Sequence, residues 1–236
     1  MKRPYMICHI LSALDGRISG PFMGTTEGAE MGKAYGDIRN QLAADAWLFG
    51  TVTVKEMTGN IKPELERSGN QVALGDFIVK SEEAFYYIAV DAQGEIGWKS
   101  GIFHRQGAKP AQVIEILTEQ ASLEVRAYLQ EKQVAYIIAG KTEIDWKLAA
   151  EKLYEEFGIR TMLICGGGMI NWSFLQAGIL DELSLLIAAA ADGAPGKATV
   201  FDKVPFLSEG VPKEFSLKSV ERIGENGIWL KYQVKN

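Results

Sequence analysis

The chain has 236 residues, 47% of them apolar and 23% charged, with 25 Lys and Arg against 30 Asp and Glu. This suits an ordinary globular protein with a full core. No basic run exceeds two residues, which argues against nucleic acid as a partner. Cys8 and Cys165 sit in apolar runs without a C-x-x-C, and His9 and His104 have no neighbouring ligand set. Reduced buried thiols, a cytoplasmic protein and no metal are therefore expected. Lys2-Arg3 precedes an apolar stretch, but that stretch contains His9 and Ser12 and runs into Asp15-Gly16. It does not read as a signal peptide, and no apolar run is long enough to span a bilayer. Without repeats or low-complexity tracts, one domain over 1–236 is expected.

In chain order, residues 5–12 form the first expected strand, followed by an Asp15-Gly16 turn. Residues 19–28 are glycine-rich and can be a flap over a site or a plain connection. A helix follows over 29–43, with Met31, Ala34, Tyr35, Ile38 and Leu42 on its apolar face. Residues 46–49 read as a strand, and Gly50, Thr51, Val52 and Thr53 lead into another helix. The hydroxyls there can cap the helix or meet a ligand. Residues 58–83 are polar and irregular; the acidic stretches at 64–66 and 82–83 read as solvated surface.

The next expected strand, 85–90, ends at Asp91, and 94–110 is loop. A strand over 113–118 precedes a helix capped by Ser122, with Leu123, Ala127 and Gln130 at helical spacing. Strand 135–139 is followed by Gly140, and Asp145 caps a helix that ends at Phe157-Gly158. Residues 161–165 form a short buried strand, and Gly166, Gly167 and Gly168 follow at once. Ile170, Phe174 and Ala177 then share one helix face, closed by Gly178 and Ile179. The glycines thus open a helix just after a strand. Free N–H groups and the helix dipole favour a phosphate there, although tight packing alone can also require glycine. Strand 183–190, a loop over 191–210 and a terminal hairpin around Glu225-Asn226-Gly227 complete the chain. Trp172 and Trp229 read as packing residues.

Strands alternating with helices imply an α/β protein with a mostly parallel sheet, helices on both faces and a C-terminal antiparallel hairpin. In such sheets ligands bind at the carboxyl ends of the strands. Asp15, Gly50, Thr51, Asp91, Gly140 and the triple glycine all follow expected strands. Their convergence on one rim is the reason to expect a ligand-binding enzyme.

Three segments resemble the pyrimidine reductases of riboflavin biosynthesis, within the dihydrofolate-reductase-like superfamily. They are residues 12–18 (SALDGRI), 44–53 (ADAWLFGTVT) and 166–171 (GGGMIN) with Leu175, Ala177-Gly178 and Asp181-Glu182-Leu183. The third is the most specific. The resemblance implies a nine-stranded sheet, NADPH as hydride donor with NADH possible, and a homodimer. It implies a reaction in which a ribosylamino-pyrimidine 5′-phosphate becomes its ribitylamino form, as in the 5-amino-6-(5-phosphoribosylamino)uracil reductases. It places the cofactor pyrophosphate on Gly166, Gly167, Gly168, Met169 and Ile170, and the nicotinamide–ribose side on Gly50, Thr51 and Val52. Asp91, Gly140 and Cys165 complete the cofactor-side candidates. Asp15 and Arg17 face the substrate as catalytic candidates, Asp15 to orient or protonate it and Arg17 to meet a phosphate or oxygen.

Three departures stand out. Cys165 replaces the family glutamate before the glycines. Residues 55–63 read KEMTGNIKP in place of the family's D-D-P-x-L-T segment, which helps hold the sugar phosphate. Ala92-Gln93 replaces a Ser-Lys or Ser-Arg pair suited to a 2′-phosphate. These motivate two other readings: a same-fold reductase of a pterin or carbonyl compound, and a non-catalytic nucleotide-binding dimer. An S-adenosylmethionine site is disfavoured, because the first strand lacks G-x-G.

Overall fold

The computed structural model describes residues 1–65, 72, 75–80, 85–104, 109–204 and 210–235. The chain runs β1 (Tyr5–Ser12), α1 (Thr26–Gln41), β2 (Ala46–Gly50), α2 (Thr51–Met57), β3 (Tyr86–Val90), β4 (Ile102–Phe103), β5 (Ala111–Leu117), α3 (Leu123–Glu131), β6 (Ala135–Ile138) and α4 (Trp146–Phe157). It continues through β7 (Thr161–Ile164), α5 (Gly168–Gln176), β8 (Glu182–Ile187), β9 (Phe215–Ile223) and β10 (Gly227–Val234). The described strands number ten rather than nine; the unexpected one is the two-residue β4, inside a segment read as loop. Glu66, Gly69, Glu82 and Glu83 lie outside the described residues. Two compact units emerge: Met1–Pro4 with Asp45–Met162, and Tyr5–Ala44 with Leu163–Asn236.

In the first unit, β2, β3, β5 and β6 form parallel ladders, with Gly50 opposite Val90, Val90 opposite Ile116, and Leu117 opposite Ile138. Every residue of β2, β3 and β5 is buried, as expected of parallel strands covered on both faces. Ser122 and Asp145 cap α3 and α4 as expected, and Gly158 takes the left-handed position after α4. The inward face of α3 is set by residues other than the helically spaced Leu123, Ala127 and Gln130. Val125, Tyr128 and Leu129 are buried, whereas Leu123 is exposed. Tyr128 decides this: its hydroxyl donates to the Trp98 carbonyl at 2.8 Å and accepts the Trp98 N–H at 2.6 Å. Phe77 exchanges two backbone hydrogen bonds with Tyr136, each 2.9 Å. The irregular region thereby supplies partners along β6, a usual way of protecting a strand edge.

In the second unit, β1 pairs in parallel with β8, from Ile7 opposite Glu182 to Ser12 opposite Ile187. β10 then pairs antiparallel with β8, and β9 with β10; β7 flanks β1 on its other side. α1 places Met31 and Ile38 against Leu11, Leu186 and Trp229, with Ala34, Tyr35 and Leu42 beside them. This is the expected apolar face. The helix begins earlier than expected because the Thr25 hydroxyl caps it, accepting the Gly28 N–H at 3.0 Å.

His9 is fully buried between α1 and the strands. Its ring stacks on Tyr35, and Nε2 lies 3.0 Å from the Tyr35 carbonyl, so Nε2 carries the proton. Nδ1 then accepts from the Ser184 hydroxyl at 3.0 Å, and that oxygen accepts the Trp229 indole N–H at 2.8 Å. The terminal turn is also shifted. Gly227 already pairs with Ile223, and the left-handed residue is Gly224. Gly227 has another duty: a Cβ there would stand 2.1 Å from Met31 Sδ.

Candidate active site

In the second unit, β7 hands over to α5 through three glycines that have three different physical reasons. Gly166 has φ +92°, a conformation that disfavours any side chain, and its peptide bond to Gly167 is cis. Gly168 lies so close to the next loop that a Cβ would sit 2.3 Å from the Thr199 carbonyl oxygen and 2.4 Å from Asp202 Oδ2. Gly167 has neither constraint. Its φ is −73°, and a Cβ there would meet nothing within 4 Å. The first intrahelical bond of α5 runs from Asn171 N–H to the Gly167 carbonyl. Among the described residues, the N–H groups of Gly168, Met169 and Ile170 have no acceptor, as helix geometry requires. The opening of α5 therefore combines free donors, the positive end of a helix and vacant space above Gly167. Cys165, just before it, is a buried thiol in no disulfide.

The turn after β1 closes beside this corner. Ala13 N–H donates to the Arg17 carbonyl at 2.8 Å, around Gly16 with φ +79°. Ile18 Cδ1 and Ile10 Cδ1 lie 4.0 and 3.1 Å from where a Cβ on Gly166 would stand. Asp15 is exposed, and Oδ2 accepts the Gly193 N–H at 2.8 Å. That bond, with smaller help from the Arg17 and Asp192 amides, holds its carboxyl below the usual carboxylate range. Asp15 is thus an anion at neutral pH. Arg17 Nη1 donates to the Lys197 carbonyl at 2.6 Å, and its backbone bridges to Thr199.

Residues of the 191–210 loop hold this corner together. Asp192 accepts the Phe22 N–H at 3.0 Å. Asp202 accepts the Thr199 hydroxyl at 2.5 Å and donates its own N–H to the Gly168 carbonyl at 3.1 Å. Buried Asn171 donates to the Val200 carbonyl at 2.8 Å. The only sequence signal for Asp192 was its Asp-Gly pair. The expected strand over 183–190 stops at Ile187 because Ala190 turns to receive the Leu14 N–H at 2.8 Å. Residues 19–28, open between flap and connection, include a 3-10 turn at Pro21–Gly24 with Phe22 buried, so they form an anchored connection.

The first unit carries the remaining candidates at the carboxyl ends of its own strands. Gly50 caps α2. The Thr51 hydroxyl donates to the Val90 carbonyl at 2.5 Å, and Val52 is 71% exposed. Asp91 faces inward: it is buried and accepts the Ile96 N–H at 2.8 Å, and burial raises its carboxyl above the usual range. Below it, Glu115 is fully buried and accepts the Trp98 indole N–H at 2.5 Å. Burial, reinforced by the Asp91 charge, pushes Glu115 well above the usual range. Gly140 has φ +103°, and a Cβ would stand 2.0 Å from the Glu143 carbonyl oxygen. A separate open cavity of about 560 Å³ is lined by Lys55, Asn60, Ile61, Lys62, Pro63 and Glu95, with Lys55 ion-paired to Glu95.

Comparison with known proteins places this geometry. A family model described as the RibD C-terminal domain matches residues 4–228. The 2,5-diamino-6-ribosylamino-4(3H)-pyrimidinone 5′-phosphate reductase of Methanothermobacter thermautotrophicus is 26% identical, with 99% of each chain covered. The enzyme of the same name from Archaeoglobus fulgidus is 24% identical over 94% of this chain and 95% of its own. Among solved structures, a pyrimidine reductase-like protein from Corynebacterium diphtheriae superposes with a TM-score of 0.70 at 18% identity, covering 99% of this chain and 92% of that one. The riboflavin biosynthesis reductase of Saccharomyces cerevisiae gives 0.63 at 19% identity, covering 99% and 90%. These two likenesses confirm the mixed, mostly parallel α/β fold with C-terminal antiparallel strands.

Proposed function

Because the chain belongs to the RibD C-terminal domain family, we propose that it is a nicotinamide-dependent reductase converting a ribosylamino-pyrimidine 5′-phosphate to the ribitylamino form. Its full-length relatives are named for the 2,5-diamino-pyrimidinone substrate, and that is the first compound to test, ahead of the uracil form. The observation that carries the reading is the opening of α5. Vacant space over Gly167 beside unpaired N–H groups fits the pyrophosphate of a dinucleotide.

When bound, the nicotinamide would supply hydride to the carbon of the substrate's C=N bond, and the nitrogen would take its proton from solvent water. Gly166, Gly167, Gly168, Met169 and Ile170 hold the pyrophosphate through backbone donors. Gly50 and exposed Val52 are assigned to the nicotinamide–ribose side. Thr51, whose proton goes to Val90, keeps only acceptor capacity for a ligand. Asp91, Gly140 and Cys165 are assigned to shaping the loops that carry the site. Asp15 orients the substrate as an accepting carboxylate rather than protonating it, since its carboxyl is held ionised. Arg17 offers its remaining guanidinium donors to substrate oxygens. NADPH is the expected donor. A homodimer is expected, with Leu217 and Val220, 55% and 57% exposed on β9, offered to a second copy. Two buried cysteines outside any disulfide support a cytoplasmic location. No described helix is long and apolar enough to cross a membrane.

The test is a titration of the purified protein with NADPH and NADH, following energy transfer from tryptophan to bound nicotinamide, and then turnover of the diamino substrate. Tight cofactor binding with reduction of the substrate bears the reading out. Binding of neither cofactor sinks it.

A further inference from the structure

Two loops of the second unit grip each other through a reciprocal pair of carboxylates. Asp15, in the turn after β1, accepts the Gly193 N–H at 2.8 Å. Asp192, in the loop after β8, accepts the Phe22 N–H at 3.0 Å through Oδ2 and the Ala194 N–H at 3.1 Å through Oδ1. Each loop thus supplies an acceptor to the other. Backbone bonds close the frame at both ends: Leu14 N–H to the Ala190 carbonyl at 2.8 Å, and Ile18 N–H to the Ala198 carbonyl at 3.0 Å. The fit is tight, since a Cβ on Gly20 would fall 2.4 Å from Asp192 Oδ2. Phe22 is buried at the anchor. Its neighbour Met23, and Leu14 beside Asp15, are large apolar side chains left exposed on this fixed backbone.

We propose that Asp192 is a positioning residue for substrate: clasped with Asp15, it fixes the turn whose carboxylate meets the substrate's polar groups and whose Leu14 and Met23 meet its flat ring. This rests on the reductase reading above. Asp192 acts through Asp15 and the loop, and has no part in cofactor binding. A carboxylate bound to a backbone N–H at both ends of the clasp leaves little conformational freedom to be lost when substrate arrives.

The experiment compares Asp192→Ala and Asp192→Asn in the full chain. The alanine variant should raise KM for the diamino-pyrimidine phosphate about tenfold or more, leaving kcat and the NADPH Kd within about twofold. The asparagine variant keeps an acceptor for the Phe22 N–H and should restore KM to within about threefold of wild type. A KM unchanged in Asp192→Ala, or kcat and cofactor affinity falling along with it, overturns the proposal. A second readout needs no activity. Asp15→Ala should lower amide-exchange protection at Phe22, which Asp15 does not touch, while α1 amides stay protected. Protection at Phe22 that survives Asp15→Ala shows two independent bonds and also overturns it. If the wild type binds NADPH but reduces no ribosylamino-pyrimidine, the reductase reading fails on its own and the exchange result still decides the clasp.

Discussion

Twice the chain passes from a parallel strand into a helix through glycine, once in each unit, and the two junctions end up with different things to offer. At Gly50–Thr51 the hydroxyl at the helix start has given its proton to the Val90 carbonyl, and the helix it opens is only seven residues long. At Gly167, which like Gly50 opens its helix without a side-chain cap, the space above the glycine is open and the helix runs nine residues. A glycine that needs neither a positive φ nor a close neighbour is informative, because folding does not require it. The two units also differ in their buried ionisable groups. The second holds a buried imidazole, His9, pushed down by burial, and the first a buried carboxyl, Glu115, pushed up by it.

Gly167→Asp tests this contrast hardest. The side chain has room, so melting should stay near wild type while NADPH binding weakens on the order of a thousandfold, about 4 kcal/mol, in a fluorescence titration. Undiminished binding would remove the distinction between the junctions. The buried groups give the next largest effect. Burial lowers His9 to about 4 from 6.5, so its contribution is complete above pH 6.5. It is lost as pH falls toward 4, when the unfolded chain takes up the proton first; the loss is about 3 kcal/mol. Glu115 acts in the opposite sense. Its folded carboxyl is raised, so its contribution is complete below about pH 4.5 and declines as pH rises. Urea unfolding from pH 4 to 7 should show the acid-side loss, and His9→Gln should flatten it. A wild-type curve already flat there refutes the buried neutral imidazole.

Gly168→Ala drives a methyl into the Thr199 carbonyl and should cost about 2 kcal/mol of stability, read as a lower melting temperature. Thr51→Val is the mildest. It leaves the Val90 carbonyl without its donor, costs about 1 kcal/mol, and should change cofactor affinity less than threefold. A large affinity loss there would show that the Thr51 oxygen serves the ligand after all.

Local chemistry was legible in the sequence where one residue type suffices. Residues 161–165 read as a buried strand, and one runs over Thr161–Ile164 with Thr161 only half-buried; Ser122 and Asp145 read as caps and Gly158 and Gly178 as helix ends, and these are so placed. The glycine turn was legible too, but not the separate reasons for its three members, which depend on Thr199 and Ile10 far away in the chain. The inward face of α3 was not legible, because Tyr128 is drawn inward by Trp98, thirty residues earlier. The hairpin turn was placed one residue late because Gly227 is needed against Met31, and Gly224 supplies the left-handed residue instead. Asp192 was invisible for the same reason: its partner Phe22 lies 170 residues away. What depends on local periodicity or capping could be read. What depends on a distant carbonyl or amide could not.

The pairing of β1 has a consequence for the chain as it is made. Both strands that flank β1 come after residue 160, and His9 and Ser184 are separated by 175 positions. At 5–20 residues per second, β1 emerges from the ribosome about ten to thirty-five seconds before its full complement of partners exists. Seven of its eight residues are buried in the finished protein, and such a segment left bare invites pairing with other chains. Only α1 is available early, through Tyr35 stacked on His9 and the carbonyl bond to its ring. That histidine contact, built into the first forty residues, makes α1 an early cover for one face of a strand still awaiting its neighbours.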